Sequence, residues 1–176
     1  QLTRAETNGG FDPVSAGISE LLGIHVTTDL RKILGRSWKQ ALNYVVRANV
    51  YEKRSPGTWL RSVNGLGEIF VRVLIRLHNT KVPKASRISI HQQDKKRITY
   101  GQLLDPGRPL AKKYPKLFDE LAELNTRRND DADSHALNVK TGRRSKAVIQ
   151  RREVLKLKNK VGKGIKKILK TIEVLC

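Results

Sequence analysis

Residues 154–175 read VLKLKNKVGKGIKKILKTIEVL, and this stretch decides the fold class. On a helix of 3.6 residues per turn eight of its ten aliphatic side chains fall within an arc of about 120°, and six of its seven lysines lie on the opposite side. A segment with one apolar and one basic face predicts an amphipathic helix that packs on a helical core. The eight aliphatic residues in the arc are Val154, Leu157, Val161, Ile165, Ile168, Leu169, Ile172 and Leu175, and the six lysines opposite are Lys156, Lys160, Lys163, Lys166, Lys167 and Lys170.

The same spacing of apolar residues recurs toward the N-terminus. Asp12, followed by proline, predicts the start of a first helix, and Gly23 predicts its end. The tract Thr-Thr-Asp at 27–29 begins a second helix, which carries apolar residues at helical spacing as far as Val46. A Ser-Pro-Gly break then precedes a third helix, expected over about 58–77.

The middle of the chain is the least helical part. Residues 87–91 alternate as a short strand would, so either a small hairpin or an ordered loop is expected near 87–98. Thr99 and Gln102 form a capping-box pattern before a short helix, and Pro115 opens a longer one. We therefore predict an all-α fold, a bundle of five to seven helices.

The charge of the chain restricts its partners. It has 36 Lys and Arg against 16 Asp and Glu, a net charge of +20 over 176 residues. Such an excess fits a nucleic acid, an anionic membrane or solubility alone, and we favour a nucleic acid. Residues 136–170 hold thirteen basic residues against the single acid Glu153, a net of +12. This basic block predicts an RNA-binding face made of Lys140, Arg143, Arg144, Lys146, Arg151, Arg152, Lys156 and Lys160.

Several classes of protein do not fit the sequence. No apolar run approaches the ~20 residues of a transmembrane helix, and no signal peptide opens the chain, so we do not expect a membrane partner. The single cysteine, Cys176, predicts no internal disulfide and no cysteine-rich zinc site, and it favours an intracellular, reducing compartment such as the cytoplasm. We find no nucleotide-binding glycine motif and no metal-ligand spacing, so we predict no cofactor and no metal. A chain that lacks methionine and begins with Gln1 is typical of a processed product, a trimmed form or a piece of a longer protein.

The helix opened by Pro115 carries the most informative pattern. Its apolar stripe runs directly into three polar residues, all within about 40° of Leu117 on the helix surface. Either the helix leaves the core after Leu124, so that these residues form a solvated ladder, or they form a site. The apolar residues are Leu117, Leu121 and Leu124, and the polar ones are Arg128, Asp131 and His135.

The segment LAELNTRRN at 121–129, followed by His135, resembles the HEPN superfamily, whose name stands for higher eukaryotes and prokaryotes nucleotide-binding. In that family an arginine is followed by a polar residue such as asparagine and, after four to six intervening residues, by a histidine. Arg128, Asn129 and His135 are similar to this signature, with six residues between the arginine and the histidine. The resemblance covers about residues 60–175.

The resemblance implies an all-α bundle in which the signature faces its copy in a second protomer, and hence a homodimer. It divides the chain into an N-terminal helical extension over 1–57 and a HEPN-like helical domain over 58–176. It also implies a metal-independent endoribonuclease of the toxin or defence kind, with RNA as substrate and an antitoxin as a further partner.

In such an enzyme the ribose 2′-hydroxyl attacks the adjacent phosphorus. The resemblance makes His135 the general base, or the acid that protonates the leaving 5′-oxygen. Arg128 would bind the non-bridging phosphate oxygens, and Asn129 would orient the backbone or the phosphate. Helical spacing places Asp131 where it can hold Arg128 or the imidazole.

Other interpretations of the same segment stay open. Asp130, Asp131 and Asp133 put three carboxylates inside the signature, where they would repel RNA. This pattern is compatible with a non-catalytic, basic, helical RNA-binding protein, such as a ribonucleoprotein component, or with a magnesium nuclease that uses Asp131 and Asp133. A calcium loop is disfavoured because Ser134 stands where glycine is needed and Lys140 where glutamate is needed. Residues 162–170 could also form a helix at a membrane surface.

Overall fold

The computed structural model describes residues 12–26, 29–134 and 148–175, and these residues are predominantly helical. The all-α prediction is confirmed. The helices are α1 (Pro13–Leu22), α2 (Leu30–Leu34), α3 (Trp38–Tyr51), α4 (Pro56–Lys81), α5 (Tyr100–Leu103), α6 (Pro109–Lys113), α7 (Pro115–Ser134) and α8 (Arg151–Leu175), with short 3₁₀ turns at Gly35–Ser37 and Lys84–Ser86.

Helix α4 occupies the centre of the bundle. Its sequence is apolar around most of its circumference, and a helix of that kind is stable only when other helices surround it. It packs against α3, α7 and α8, and α1 lies across α3 and α8. Its buried side chains include Trp59, Leu66, Phe70 and Leu74, none of which has any exposed surface.

The N-terminal helices share this core. Buried residues from Val14 in α1 to Ile172 in α8 form one continuous hydrophobic cluster. Gly17 of α1 lies so close to Val45 of α3 that a Cβ atom there would overlap its side chain, and Gly162 of α8 approaches the Leu22 carbonyl. The division at residue 57 stays a prediction, although the residues on its two sides are packed as one unit.

The second predicted helix is interrupted. Asp29 caps α2, but the chain leaves the helical conformation at Gly35, where φ is +53°. A left-handed φ ends an α-helix, so the predicted single segment becomes α2, a 3₁₀ turn and α3. The short helix α6 was missed by the sequence analysis.

The segment near 87–98 is an ordered loop with one isolated antiparallel bridge. His91 and Arg97 form the bridge, and Ile98 N donates to Ile90 O at 2.9 Å. Within the described ranges no strand forms, so of the two predicted alternatives the loop is correct. The side chain of Asn79 holds it to α4 by hydrogen bonds to the backbone N–H and C=O of Ile88.

Helix α8 has the two faces that the sequence predicts. Val154, Val161, Ile165 and Ile168 are buried. The lysines of the opposite face, at 156, 160, 163, 166, 167 and 170, are exposed. Among the residues described here, no helix is both long enough and apolar enough to cross a membrane.

Candidate functional site

Helix α7 remains continuous past the end of its apolar stripe. Leu117, Leu121 and Leu124 are buried, Arg128 is half-buried, and Asp131 has no exposed surface. A solvated polar ladder therefore does not describe this end of the helix. His135 lies outside the described residues, so its position relative to Arg128 stays a prediction.

Asp131 ties three parts of the chain together. Its Oδ1 accepts a hydrogen bond from the backbone N–H of Ile149 at 2.9 Å, just before α8 begins. Its Oδ2 lies 3.9 Å from a guanidinium nitrogen of Arg61 on α4. The sequence predicted Arg128 or His135 as the partner of Asp131. The structure adds the contacts with Ile149 and Arg61. Helical spacing could not predict these two contacts, because both residues are distant from Asp131 in the sequence.

Replacing Asp131 with alanine is expected to lower the free energy of unfolding by about 2–4 kcal/mol, because the buried N–H of Ile149 loses its acceptor. Asp131→Asn keeps an oxygen at this position and should lower the free energy of unfolding by a smaller amount. Urea denaturation followed by circular dichroism measures both. Asp130→Ala, at the neighbouring exposed aspartate, is the control, and an equal effect of the two alanine variants would contradict a tether at Asp131.

Arg128 and Asn129 line a polar cavity of about 370 Å³ between α3, α4, α5 and α7. Arg128 donates to the side-chain oxygen of Asn129 at 3.1 Å, so the two signature residues contact each other. Two guanidinium groups and one carboxylate line the cavity, together with uncharged polar side chains. The charged residues are Arg61, Arg128 and Glu68, and the uncharged ones include Asn64, Thr99, Tyr100, Asn125 and Asn129.

The carboxylate that lines the cavity, on Glu68, already forms an ion pair. Glu68 accepts a hydrogen bond from Nε of Arg72, one helical turn away, at 3.2 Å. Arg72 also donates to the carbonyl of Ile98 at 3.0 Å, which anchors the loop before α5. Because Glu68 is paired with Arg72 and Arg61 is paired with Asp131, it is Arg128 that gives the cavity its net attraction for anions.

Two buried polar atoms in the cavity lack a hydrogen-bond partner among the described residues. They are the amide oxygen of Asn64 and the hydroxyl of Tyr100, in side chains that are 7% and 6% exposed. Burial raises the pKa of Tyr100, and the charge of Glu68 raises it further, against a lowering by Arg72. The hydroxyl therefore stays protonated and able to donate at any ordinary pH. Nothing in the local sequence distinguished Asn64 or Tyr100 from other core positions.

Arg127 and Arg128, the two arginines before Asn129, make different contacts. Arg127 points toward α8, where its Nε and a terminal nitrogen donate to the Glu153 carboxylate at 2.9 and 3.1 Å. This hydrogen bonding raises the pKa of Arg127 and lowers that of Glu153. The one acid of the basic block thus holds α7 against α8, and Arg128 is the member of the doublet at the cavity.

The predicted RNA-binding face is described only in part. Arg151, Arg152, Lys156 and Lys160 are exposed on α8, and Lys160 forms an exposed ion pair with Glu123 at 3.1 Å. The other four predicted residues, Lys140, Arg143, Arg144 and Lys146, lie outside the described residues.

A groove of about 700 Å³ between α7 and α8 mixes both signs of charge. Lys156 and Lys160 line it together with Glu123, Asp130 and Glu153. Carboxylates in this groove oppose a polyanion, so the groove is a poorer phosphate site than the polar cavity at Arg128.

No known protein family, no curated protein and no solved structure matches this chain. The function is therefore argued from the chemistry of the site.

Proposed function

We propose that this protein is a metal-independent endoribonuclease of the toxin or defence kind, which works as a homodimer and uses Arg128 and His135 on RNA. Asn129 orients the arginine, and Asp131 holds the end of α7 on which the site is built. The proposal needs a phosphate-binding group of fixed orientation next to a place where RNA can lie.

The placement of Arg128 is the observation that carries the proposal. Arg128 is half-buried, its guanidinium donates to Asn129, and it lines the same cavity as Arg61. Arginine binds phosphate oxygens through two parallel hydrogen bonds, and partial burial strengthens such contacts. A surface arginine without fixed neighbours would not support this role.

The chemistry requires the named side chains and water. The 2′-oxygen forms a bond to phosphorus while the bond to the 5′-oxygen breaks, which gives a 2′,3′-cyclic phosphate and a free 5′-hydroxyl. A neutral His135 accepts the 2′-hydroxyl proton while water protonates the leaving 5′-oxygen, or a protonated His135 protonates the 5′-oxygen while water accepts the 2′-hydroxyl proton. Arg128 stabilises the charge that grows on the non-bridging oxygens.

The direct test is incubation of the full chain with single-stranded RNA in EDTA. The proposal expects cleavage with cyclic phosphate ends and no cleavage of DNA of the same sequence, because DNA lacks the 2′-hydroxyl. Cleavage that requires added Mg²⁺ would contradict it and favour a carboxylate site.

A second candidate is a non-catalytic RNA-binding protein, and the start of α8 favours it. Arg151 and Arg152 are the first two residues of this helix and both are exposed. Cations at a helix N-terminus are destabilising by about 0.3–1 kcal/mol each, because the helix dipole is positive there. A bound phosphate would offset this cost with both arginines and the helix end.

Reversing the charge of Arg151 and Arg152 to glutamate is expected to flatten the salt dependence of RNA binding. Each lost phosphate contact on a single strand lowers the slope of log K against log salt by about 0.7. Fluorescence anisotropy with a non-cleavable 2′-deoxy or 2′-O-methyl oligonucleotide at several salt concentrations measures the slope. Lys95→Glu with Lys96→Glu, an equal charge change on an exposed loop, is the control, and an equal flattening there would contradict a binding face on α8.

A further inference from the structure

The polar cavity at Arg128 has an uneven distribution of charge. The guanidinium groups that line it are on Arg128, which is half-buried, and on Arg61, whose side chain is 46% exposed. The deeply buried polar atoms in the cavity are uncharged, namely the Asn64 amide oxygen and the Tyr100 hydroxyl. A ligand that fits this pattern has an anionic group at the exposed side and an uncharged polar group inside.

The buried atoms call for hydrogen bonds that the described residues do not supply. A buried polar group without a partner costs about 1–3 kcal/mol, and such groups are rare in folded proteins. The amide nitrogen of Asn64 donates to the side-chain oxygen of Asn125 at 3.1 Å, and the amide oxygen of Asn64 is left as an acceptor. Tyr100 offers a donor, since its hydroxyl stays protonated. The residues that line the cavity thus include one hydrogen-bond acceptor, the Asn64 amide oxygen, and one donor, the Tyr100 hydroxyl.

We infer that this cavity binds one unpaired nucleobase of the RNA, with the adjoining phosphate on Arg61 and Arg128. The inference rests on the proposed function, because it names the part of the RNA that the same site recognises. A nucleobase carries a hydrogen-bond donor and an acceptor side by side on its edge, which suits Tyr100 and Asn64.

The other features of the cavity agree with a base and disagree with a second phosphate. Glu68 lies near Tyr100 and is already paired with Arg72, so this part of the cavity has no net attraction for a second phosphate. Tyr44, which also lines the cavity, is half-buried against Gly65 and supplies an aromatic wall of the kind on which bases stack. The volume of about 370 Å³ lies within the usual range of small-molecule sites. Because a base inside a duplex cannot enter, the site is selective for single strands.

The experiment measures binding of the four ribonucleoside monophosphates, and of ribose 5-phosphate, to the full chain by calorimetry or ligand-observed NMR. We expect at least one nucleotide to bind at least 5-fold more tightly than ribose 5-phosphate. Tyr100→Phe should weaken the binding of that nucleotide by about 3- to 10-fold and leave the binding of ribose 5-phosphate unchanged. This variant is expected to fold, because it removes a hydroxyl that has no partner in the described part of the chain.

A second variant fills the cavity without removing a hydrogen-bonding group. Gly101 is exposed, and a Cβ atom there would lie 3.4 Å from the Asn125 amide nitrogen. Gly101→Val should therefore abolish the preference for the nucleotide. Tyr51→Phe, on the exposed surface of α3, is the control and should leave the binding of both the nucleotide and ribose 5-phosphate unchanged.

Two results would overturn the inference: nucleotides that bind no better than ribose 5-phosphate, or a preference that persists in both Tyr100→Phe and Gly101→Val. Either result could accompany normal RNA cleavage in EDTA, in which case the base site fails and the proposed activity stands. Conversely, the expected nucleotide pattern without any cleavage would support the base site and refute the ribonuclease.

Discussion

Replacing Arg128 with alanine is expected to reduce RNA cleavage in EDTA by at least about 100-fold. The loss follows from the role of its guanidinium, because removing one fixed donor to the developing phosphate charge typically costs 10²–10³ in rate. Arg128→Lys keeps the positive charge but loses the forked geometry, and it should recover only part of the activity. The measurement is the initial cleavage rate of a labelled single-stranded RNA under single-turnover conditions.

The neighbouring arginine provides the matched control. Arg127→Ala removes the same type of side chain from the same helix, but it breaks the ion pair with Glu153 and leaves the polar cavity unchanged. We expect Arg127→Ala to lower thermal stability and to leave the cleavage rate of the folded fraction within a few-fold of wild type. His135→Ala should match the loss seen in Arg128→Ala. Equal losses in the Arg127 and Arg128 variants would contradict the assignment of Arg128.

The helices of this fold are largely predictable from the sequence, because their apolar periodicity is strong. Helix α8 carries an aliphatic arc and a lysine face, and α7 carries an apolar stripe as far as Leu124, so both could be predicted from spacing alone. The break after α2 was not predicted, because the apolar spacing continues past Gly35, whose φ of +53° ends the helix. Apolar spacing indicates which residues share a helix face, but it does not give the φ angle of a single glycine.

The candidate site was predictable only along one helix. Arg128, Asn129 and Asp131 belong to a contiguous pattern on α7, and the signature drew attention to them. The residues that complete the cavity come from other helices, so no spacing rule connects them to Arg128. Arg61 and Asn64 lie on α4 and Tyr100 begins α5, and nothing in their local sequence distinguishes them from ordinary surface or core residues. The buried polar atoms of Asn64 and Tyr100 become evident only once burial is known.

Asp12 illustrates the same limit at the N-terminus, where the sequence predicts only a helix cap. Its carboxylate accepts the expected bond from Val14 N at 3.0 Å and a second from Ser15 Oγ at 2.8 Å. It also accepts bonds from Leu30 N at 2.6 Å and from the indole nitrogen of Trp38 at 3.2 Å. One side chain therefore joins the starts of α1, α2 and α3.

Asp12→Ala is expected to lower the free energy of unfolding by about 3–5 kcal/mol, since it removes a helix cap and leaves further donors without their acceptor. Asp29→Ala is the matched control, because Asp29 caps α2 through an exposed bond to Arg31 N, and its loss should lower the free energy of unfolding by only about 1 kcal/mol. Urea denaturation at pH 7 measures both. Equal losses in the two variants would show that the long-range bonds of Asp12 add nothing to stability.

The stabilisation from Asp12 should also depend on pH in a defined direction. Burial raises the pKa of its carboxyl, but the hydrogen bonds from Ser15, Leu30, Trp38 and Val14 together outweigh burial, so the folded-state pKa lies below its ordinary value. A depressed folded pKa gives a contribution that is complete above the unfolded value of about 3.9 and is lost as the pH falls through the folded value. The stability difference between wild type and Asp12→Asn should therefore be constant from about pH 5 to 7 and shrink below about pH 4. A difference that stays constant down to pH 2 would show that the charge of Asp12 contributes nothing, and a difference that grows on acidification would reverse the assigned direction of the shift.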